Sequence, residues 1–414
     1  MRLHRMIGSF ERSSNRLLLI LQGFNPGTPN SAKPHCSIIP TERDLPLRTI
    51  RQILLLLLAA ATTQLHAQQK PVRVVIVGLV HGHVKGFLRD LPKSKDATLV
   101  AIVEPDTALA AQYEKQYKLD HALFHTGLEE TLNATHPDAV LVYTTILDHR
   151  KVIEAAAKHG VSSMVEKPLS TTVEDALAIR AVARKNKVHV LVNYETTWYS
   201  SNAEAFRLIN DNKLGDVRKV VVHDGHEGPA EIGVGPEWLP WLTDPVRNGA
   251  GALFDFGCYG ADLMTVIMHG EAPISVTAAA QTDKPQLYPH VEDDATIILH
   301  YPKTQAVLMP SWNWSFARKD MEVYGTNGTA VTVGPSGIRT RFRGEKQEQT
   351  ADAPALPASA ATSLGYLAAV LHGETKDTGD LSALDTNVIV MQILDAARTS
   401  AATGRTVTLK PLPQ

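Results

Sequence analysis

A chain of 414 residues has room for about two domains of ordinary size. Its 44% apolar and 20% charged residues suit a packed soluble protein, and 41 Lys+Arg against 43 Asp+Glu leave no basic footprint for nucleic acid. Its two cysteines, Cys36 and Cys258, make neither a disulfide framework nor a thiolate cluster.

Residues 1–47 show no steady period and hold scattered Pro, Gly and Ser. Arg48 and Arg51 then precede the apolar run Ile53 to Ala61, followed by Leu65-His66-Ala67-Gln68. A basic region, a short apolar core and a small residue before a polar start describe a secretory signal peptide cut after Ala67. The run is too short for a membrane span, so no stable span is expected after cleavage. This places the mature protein in the periplasm or outside the cell and makes residues 1–67 a leader. Residues 1–46 read as an over-long start, with a buried or anchoring N-terminal helix as the alternative.

From Pro71 the periodicity is plain. Strands are predicted at Val72–Val77, Thr98–Val103, Ala139–Tyr143, Val161–Val165 and Val188–Val192. Helices are predicted at Val84–Leu91, Ala108–Tyr117, Arg150–His159 and Val173–Lys185. Apolar strands alternating with helices imply a Rossmann-like, doubly wound parallel sheet over residues 68–193. A dinucleotide fingerprint after the first strand would be G-x-G-x-x-G. Its glycine positions here read Gly78, Val80 and His83, with Gly82 one step early. The strand-turn-helix context still offers backbone N–H groups of Gly78, Leu79, His81, Gly82 and His83 to a pyrophosphate. Glu104 stands where a carboxylate meets the adenosine ribose and would repel a 2′-phosphate, which favours NAD over NADP. No carboxylate or cysteine lies beside His81 and His83 in sequence, so they are read as donors to cofactor or substrate, and no metal is expected.

Beyond Asn193 the pattern changes. A helix is predicted at Asn202–Asn210, then strands near 218–223, 275–280, 295–300, 306–310, 321–324, 330–333 and 337–342. Strands in succession imply an open, mostly antiparallel sheet over residues 194–414. Gly325-Thr326-Asn327-Gly328 marks a tight turn, residues 344–362 read as a surface excursion, and a helix at Asn387–Ala402 precedes a short strand at Thr406–Leu409.

Two short stretches carry the chemistry. Glu166-Lys167-Pro168 ends a strand where open α/β sheets collect ligands, and a lysine there can serve as acid or base. In Gly249 to Asp262, the residues Asp255, Tyr259 and Asp262 fall on one face if the segment is one helix. The glycines before them permit close approach to another surface. Lys167 beside Tyr259 would favour tyrosinate and bring the phenol toward the working range. Tyr259 as core and Asp255 as a helix-terminal charge is the competing reading.

The Rossmann-like half, Glu166-Lys167-Pro168 and Asp255-x-Gly257-x-Tyr259 together resemble the Gfo/Idh/MocA oxidoreductases, from about residue 72 to the end. The resemblance implies an NAD-binding domain, a C-terminal sheet that often forms the homo-oligomer face, and sugar or cyclitol substrates. It makes Lys167 the catalytic lysine and Asp255 the substrate-site aspartate. It sets Tyr259 where the glucose–fructose oxidoreductase-like members carry Tyr. Glu166 and Lys167 join the cofactor site. Thr144 and His149 match the ends of the family's Thr-Pro-Asn-x-x-His segment, with Thr145 and Ile146 replacing Pro and Asn. A secreted member would hold its nucleotide tightly and recycle it. Trp198 and His226 are further substrate-side candidates, and Trp241, Trp312 and Trp314 suit sugar stacking or core. The expected activity is oxidoreduction of a sugar or cyclitol hydroxyl. A glycoside-cleaving enzyme using oxidation and elimination, and a non-catalytic sugar or nucleotide sensor, are the alternatives.

Overall fold

The structure, a computed structural model, describes residues 70–413. The expected leader, its cleavage site and Cys36 lie outside the described residues.

Strands β1 (Val72–Val77), β2 (Ala97–Val103), β3 (Phe124–His125), β4 (Ala139–Val142), β5 (Ser162–Glu166) and β6 (Val190–Asn193) form one sheet. Its order is β3-β2-β1-β4-β5-β6, and every neighbouring pair is parallel. The connections run through α1 (Val84–Asp90), α2 (Thr107–Tyr117), α3 (Leu128–Thr135), α4 (His149–Lys158) and α5 (Val173–Asn186). Side chains alternate along a strand, so β1 sends Val72, Val74 and Ile76 to one face and Val75 and Val77 to the other. The first set packs with Val84 and Leu88 of α1 and Tyr113 of α2. The second packs with Ile153 of α4 and Ile179 of α5. Strand order reverses between β1 and β4, which opens a crevice at their carboxyl ends.

The second half contains α6 (Ser200–Asn210), β7 (Val217–Gly225), α7 (Leu239–Leu242), α8 (Ala252–Asp255), α9 (Gly257–Ile267), β8 (Ser275–Gln281), β9 (Asp294–His300), β10 (Gln305–Ser311), β11 (Arg318–Gly325), β12 (Gly328–Val333), β13 (Gly337–Phe342), β14 (Gln349–Asp352), α10 (Ser363–Leu371), α11 (Leu384–Thr403) and β15 (Val407–Thr408). Its nine strands run β14-β13-β12-β11-β7-β10-β9-β8-β15. All neighbours are antiparallel except β7 and β10. Helix α9 lies tight on this sheet because a Cβ at Gly260 would come within 2.8 Å of Leu308 Cδ2 on β10.

Both expected sheets are present, with several differences. β3 and α3 escape a periodicity reading because they are too short to show a period. The excursion at 344–362 carries β14, an exposed edge strand paired to β13. Helix α10 went unread because it has no polar face: Leu364 through Val370 are all buried. It closes the first sheet, with Leu364, Tyr366, Leu367 and Val370 in the same core as Val74 and Ile76. Further C-terminal residues guard that sheet's edge. Val192 N–H donates to Ser382 O at 3.0 Å, and Tyr194 Oη donates to Asn387 Oδ1 at 2.8 Å.

Leu367 is fully buried in this shared core. Leu367→Ala is expected to cost about 2–5 kcal/mol, the usual range for a buried leucine. Urea unfolding measures it, and a loss below about 1 kcal/mol, the scale of a peripheral substitution, would show that α10 is no part of the core.

Candidate active site

Strand β5 ends at Glu166 and delivers Lys167, itself buried, to the carboxyl end of the sheet. Helix α8 brings Asp255 to meet it. The approach needs Gly251, whose Cβ would strike the Glu292 carbonyl oxygen. Glu292 also holds the entry to α8, its Oε1 accepting from Gly251 N–H at 2.8 Å and Leu253 N–H at 2.9 Å. Lys167 Nζ donates to the Asp255 carboxylate in a short ion pair and to the Asp255 carbonyl at 2.8 Å. Trp312 Nε1 donates to the other carboxylate oxygen at 2.9 Å. The ammonium also lies 5.5 Å from the Phe256 ring centroid and 5.2 Å from that of Tyr259.

The single helix expected through Asp255, Tyr259 and Asp262 is broken. α8 stops at Asp255 and α9 starts at Gly257, with Phe256 at φ −113° between them. The Asp255 carbonyl is turned to Lys167 and to Cys258 Sγ, at 3.4 Å from the sulfur, instead of continuing a helix. Asp262 does not join the site. It is buried, neither carboxylate oxygen has a partner among the described residues, and burial pushes its carboxyl well up.

The electrostatics separate proton carriers from charges. Burial opposes the charge on Lys167, but Asp255, Cys258 and Glu166 outweigh it, and the ammonium is held above its ordinary value. Burial likewise opposes the Asp255 carboxylate, and Lys167, His226 and Trp312 overcome it, holding its carboxyl low. Tyr259 behaves differently from expectation: burial, with Glu195, Cys258 and Asp255 nearby, drives its phenol well above the usual value. Desolvation of the phenolate thus exceeds the help of a neighbouring cation. Tyr259 is a neutral phenol. A second ammonium, Lys319 from β11, lies 5.1 Å from its ring and is paired to Glu195. His226 packs edge-on against Phe256 at 4.9 Å and is kept neutral by burial. Its Nδ1 accepts from Gly228 N–H at 2.9 Å, so the ring proton sits on Nε2.

The two loop histidines form a second group. His83 Nδ1 lies 2.9 Å from Glu166 Oε2, and His83 N–H contacts His81 Nδ1 at 3.3 Å. The sequence places no carboxylate beside these histidines, yet the fold does, because β4 pairs with both β1 and β5 and the end of β5 reaches the loop that precedes α1. Asn193 Nδ2 donates to Glu166 Oε1 at 3.0 Å, and Trp198 Nε1 donates to Asn193 Oδ1 at 3.1 Å. His83, Glu166, Asn193 and Trp198 line a cleft of about 940 Å³. Trp238 and Trp241 lean on the loop, their rings 4.6 and 5.4 Å from His81, and Trp241 Nε1 donates to Val80 O at 3.3 Å. Gly82 is required here, since any Cβ would enter the Trp238 ring.

The remaining cofactor candidates surround the switch point. A cleft of about 680 Å³ is lined by Val80, Glu104, Pro105, Thr144 and Thr145. Gly78, at φ +83°, turns beneath it, and a Cβ there would lie 2.7 Å from Thr144 Cγ2. The Glu104 carboxylate accepts from Leu79 N–H at 2.8 Å and Asp106 N–H at 2.9 Å. It therefore braces the turn as well as facing the cleft. Of the five N–H groups expected to face a pyrophosphate, only that of Gly82 is free among the described residues. Gly78 donates to Val103 O, Leu79 to Glu104, His81 to Tyr143 O and His83 to His81 Nδ1. The N–H of Val80 and the buried Nε2 of His149 are also without a partner among the described residues. Free N–H groups before α1, a cleft at the switch point and an acidic residue at the end of β2 fit a dinucleotide.

Sequence reasoning missed Trp238, Asn193, Lys319, Glu195 and Glu292, and read Trp312 as sugar stacking or core, not as the donor that fixes Asp255. None of these carries a local signature; each is brought in by long-range packing. Among the aromatic candidates, Trp312 and Trp241 are buried and spend their indole N–H groups on protein acceptors, while Trp198 borders the larger cleft.

Comparison with known proteins agrees with this geometry. Residues 72–194 match the profile of an oxidoreductase family with an NAD-binding Rossmann fold, and residues 202–331 match the GFO/IDH/MocA C-terminal domain. The chain is 29% identical over 216 residues to a trans-1,2-dihydrobenzene-1,2-diol dehydrogenase of Xenopus tropicalis, covering 51% of this chain and 60% of that protein. It is 26% identical to a 1,5-anhydro-D-fructose reductase of Ensifer adhaerens, covering 62% of this chain and 76% of that one. It shares its fold with the aldose-aldose oxidoreductase of Caulobacter crescentus, at a TM-score of 0.70 and 23% identity over 82% of this chain and all 100% of that one. An inositol dehydrogenase homologue from Azotobacter vinelandii has the same fold at a TM-score of 0.71 and 19% identity, over 82% and 98% of the two chains. The chain belongs to the Gfo/Idh/MocA oxidoreductases, a family with an NAD-binding Rossmann fold.

Proposed function

We propose that this oxidoreductase interconverts a hydroxyl and a carbonyl on a sugar or cyclitol, with Lys167 exchanging the substrate proton. One observation carries the reading: a buried lysine at a strand's carboxyl end is aimed by a buried aspartate, next to a neutral phenol. The relatives named for a diol, an anhydrofructose and inositol support a polyol substrate. NAD, held by the loop from Gly78 to His83 with Glu104 toward its ribose, supplies the hydride acceptor or donor. Asp255 orients the ammonium, and Trp312 fixes Asp255. Lys167, Tyr259 and His226 Nε2 are all proton donors in the resting state, which suits protonation of an oxygen as a carbonyl is reduced. Oxidation requires one of them first to give up its proton.

The pH profile follows from this. Because Asp255 helps hold the Lys167 ammonium above its usual value, kcat/KM for oxidation is expected to rise with pH and not to level off below the ordinary lysine value. Reduction should fall through the same range. Asp255→Asn removes the anion, burial then dominates, and both profiles should move to lower pH. Lys167→Met should slow either direction by about a hundredfold or more. Unmoved profiles in Asp255→Asn, with Lys167→Met fully active, would take Lys167 out of the proton transfer.

The Glu104 carboxylate opposes a 2′-phosphate, so nucleotide-free protein titrated with each cofactor should bind NAD more tightly than NADP. Tighter NADP binding would refute the assignment.

We further infer export, from the basic and apolar run Arg48 to Ala61 and the small residue Ala67. N-terminal sequencing of secreted or periplasmic material should begin near Gln68, and a mature chain that retains residues 1–46 would overturn this.

A further inference from the structure

We propose that His81, His83 and Glu166 form a binding site for a divalent transition-metal ion of the Zn²⁺ class, opening on the larger cleft. One ligating atom from each of the three side chains lies within 4.8 Å of the other two. A tetrahedral ion about 2.1 Å from each ligand sets them roughly 3.4 Å apart. His83 Nδ1 and Glu166 Oε2, at 2.9 Å, need only separate slightly to admit it.

Three further observations support an ion over a bare hydrogen bond. The Glu166 carboxylate is buried, its Oε2 2.9 Å from His83 Nδ1. Yet no Lys or Arg nitrogen lies within 4.0 Å of it among the described residues; Lys167 is spent on Asp255. A buried charge without a fixed counter-charge is costly, and a cation at Oε2 removes that cost. Second, the carboxylate is pre-aimed. Trp198 holds Asn193, which holds Oε1, leaving Oε2 to face His83, the outer-shell arrangement that orients metal-binding carboxylates. Third, the His83 side chain is 42% exposed and borders the cleft of about 940 Å³, so an ion and an additional oxygen ligand have access. Two imidazoles and one carboxylate with an open fourth position is a set that Zn²⁺ uses in catalytic sites.

A second cluster among the described residues, one histidine with two carboxylates (His223, Asp320 and Glu322), makes the contrast. There Arg318 already clamps both oxygens of Asp320, at 2.9 and 2.7 Å, and neutralises it.

The site shares His81, His83 and Glu166 with the cofactor side of the oxidoreductase reading, but its test reads metal content, not turnover, so either can fail without the other. Full-length chain would be stripped with chelator, incubated with Zn²⁺ or Co²⁺, desalted and assayed by elemental mass spectrometry and visible absorption. About one tightly held equivalent is expected, with Co²⁺ bands of a four- or five-coordinate N/O site. His83→Gln and Glu166→Gln should each weaken binding at least tenfold, with circular dichroism confirming that both variants remain folded. Asp320→Asn, in the clamped cluster, should leave it unchanged. Less than about a tenth of an equivalent of either ion would overturn the proposal, since a tight site fills near one. So would equal binding by the wild type and folded His83→Gln, which marks adventitious metal.

Discussion

The buried pair between Lys167 and Asp255 is the constraint to which the rest of the molecule is fitted. Each charge is out of water, and neither is tolerable alone: removing one partner of such a pair typically costs about 3–5 kcal/mol. The pair joins the end of β5 in one sheet to α8, which leads into the helix packed on the other. Its geometry dictates the interruption after Asp255, since one ammonium takes both the carboxylate and the carbonyl of that residue. That carbonyl is lost to the helix ladder, and the chain restarts at Gly257.

The interruption decides what Tyr259 can be. In a continuous helix it would share a face with Asp255 one turn away. Instead its ring lies near two ammonium groups, Lys167 and Lys319, while the carboxylates that pair with them, Asp255 and Glu195, both raise its phenol. A cation beside a ring lowers a phenol only if it arrives without its counter-ion. Here each lysine comes with an acid, so desolvation governs. The same reasoning separates Glu166 from Asp255: the two buried carboxylates stand close to one lysine, and only Asp255 is matched by it.

Much of the fold was legible because its period is strong. Val72–Val77 reads as a strand with no ambiguity, and the alternation of strands and helices through Asn193 fixes a parallel sheet. Lys167 was legible from its place at a strand end before proline. What the sequence concealed falls into two kinds. Elements buried on every side, such as α10, have no polar face to betray a period. Residues that meet across long separations, such as Trp238 over Gly82, Glu292 under Gly251 and Glu166 against His83, leave no local trace. The spacing of Asp255, Tyr259 and Asp262 misled for a third reason: a tertiary bond outbid the helix.

Helix α10 also bears on the order in which the chain is made. The face of the first sheet formed by Val74, Ile76 and Leu141 is completed by Leu364, Tyr366 and Leu367. During synthesis the nucleotide-binding half emerges early, but this face stays partly bare until nearly the whole second half has left the ribosome. The first half alone is therefore a sticky nascent intermediate, and excising it at Asn193 would leave it without its last wall.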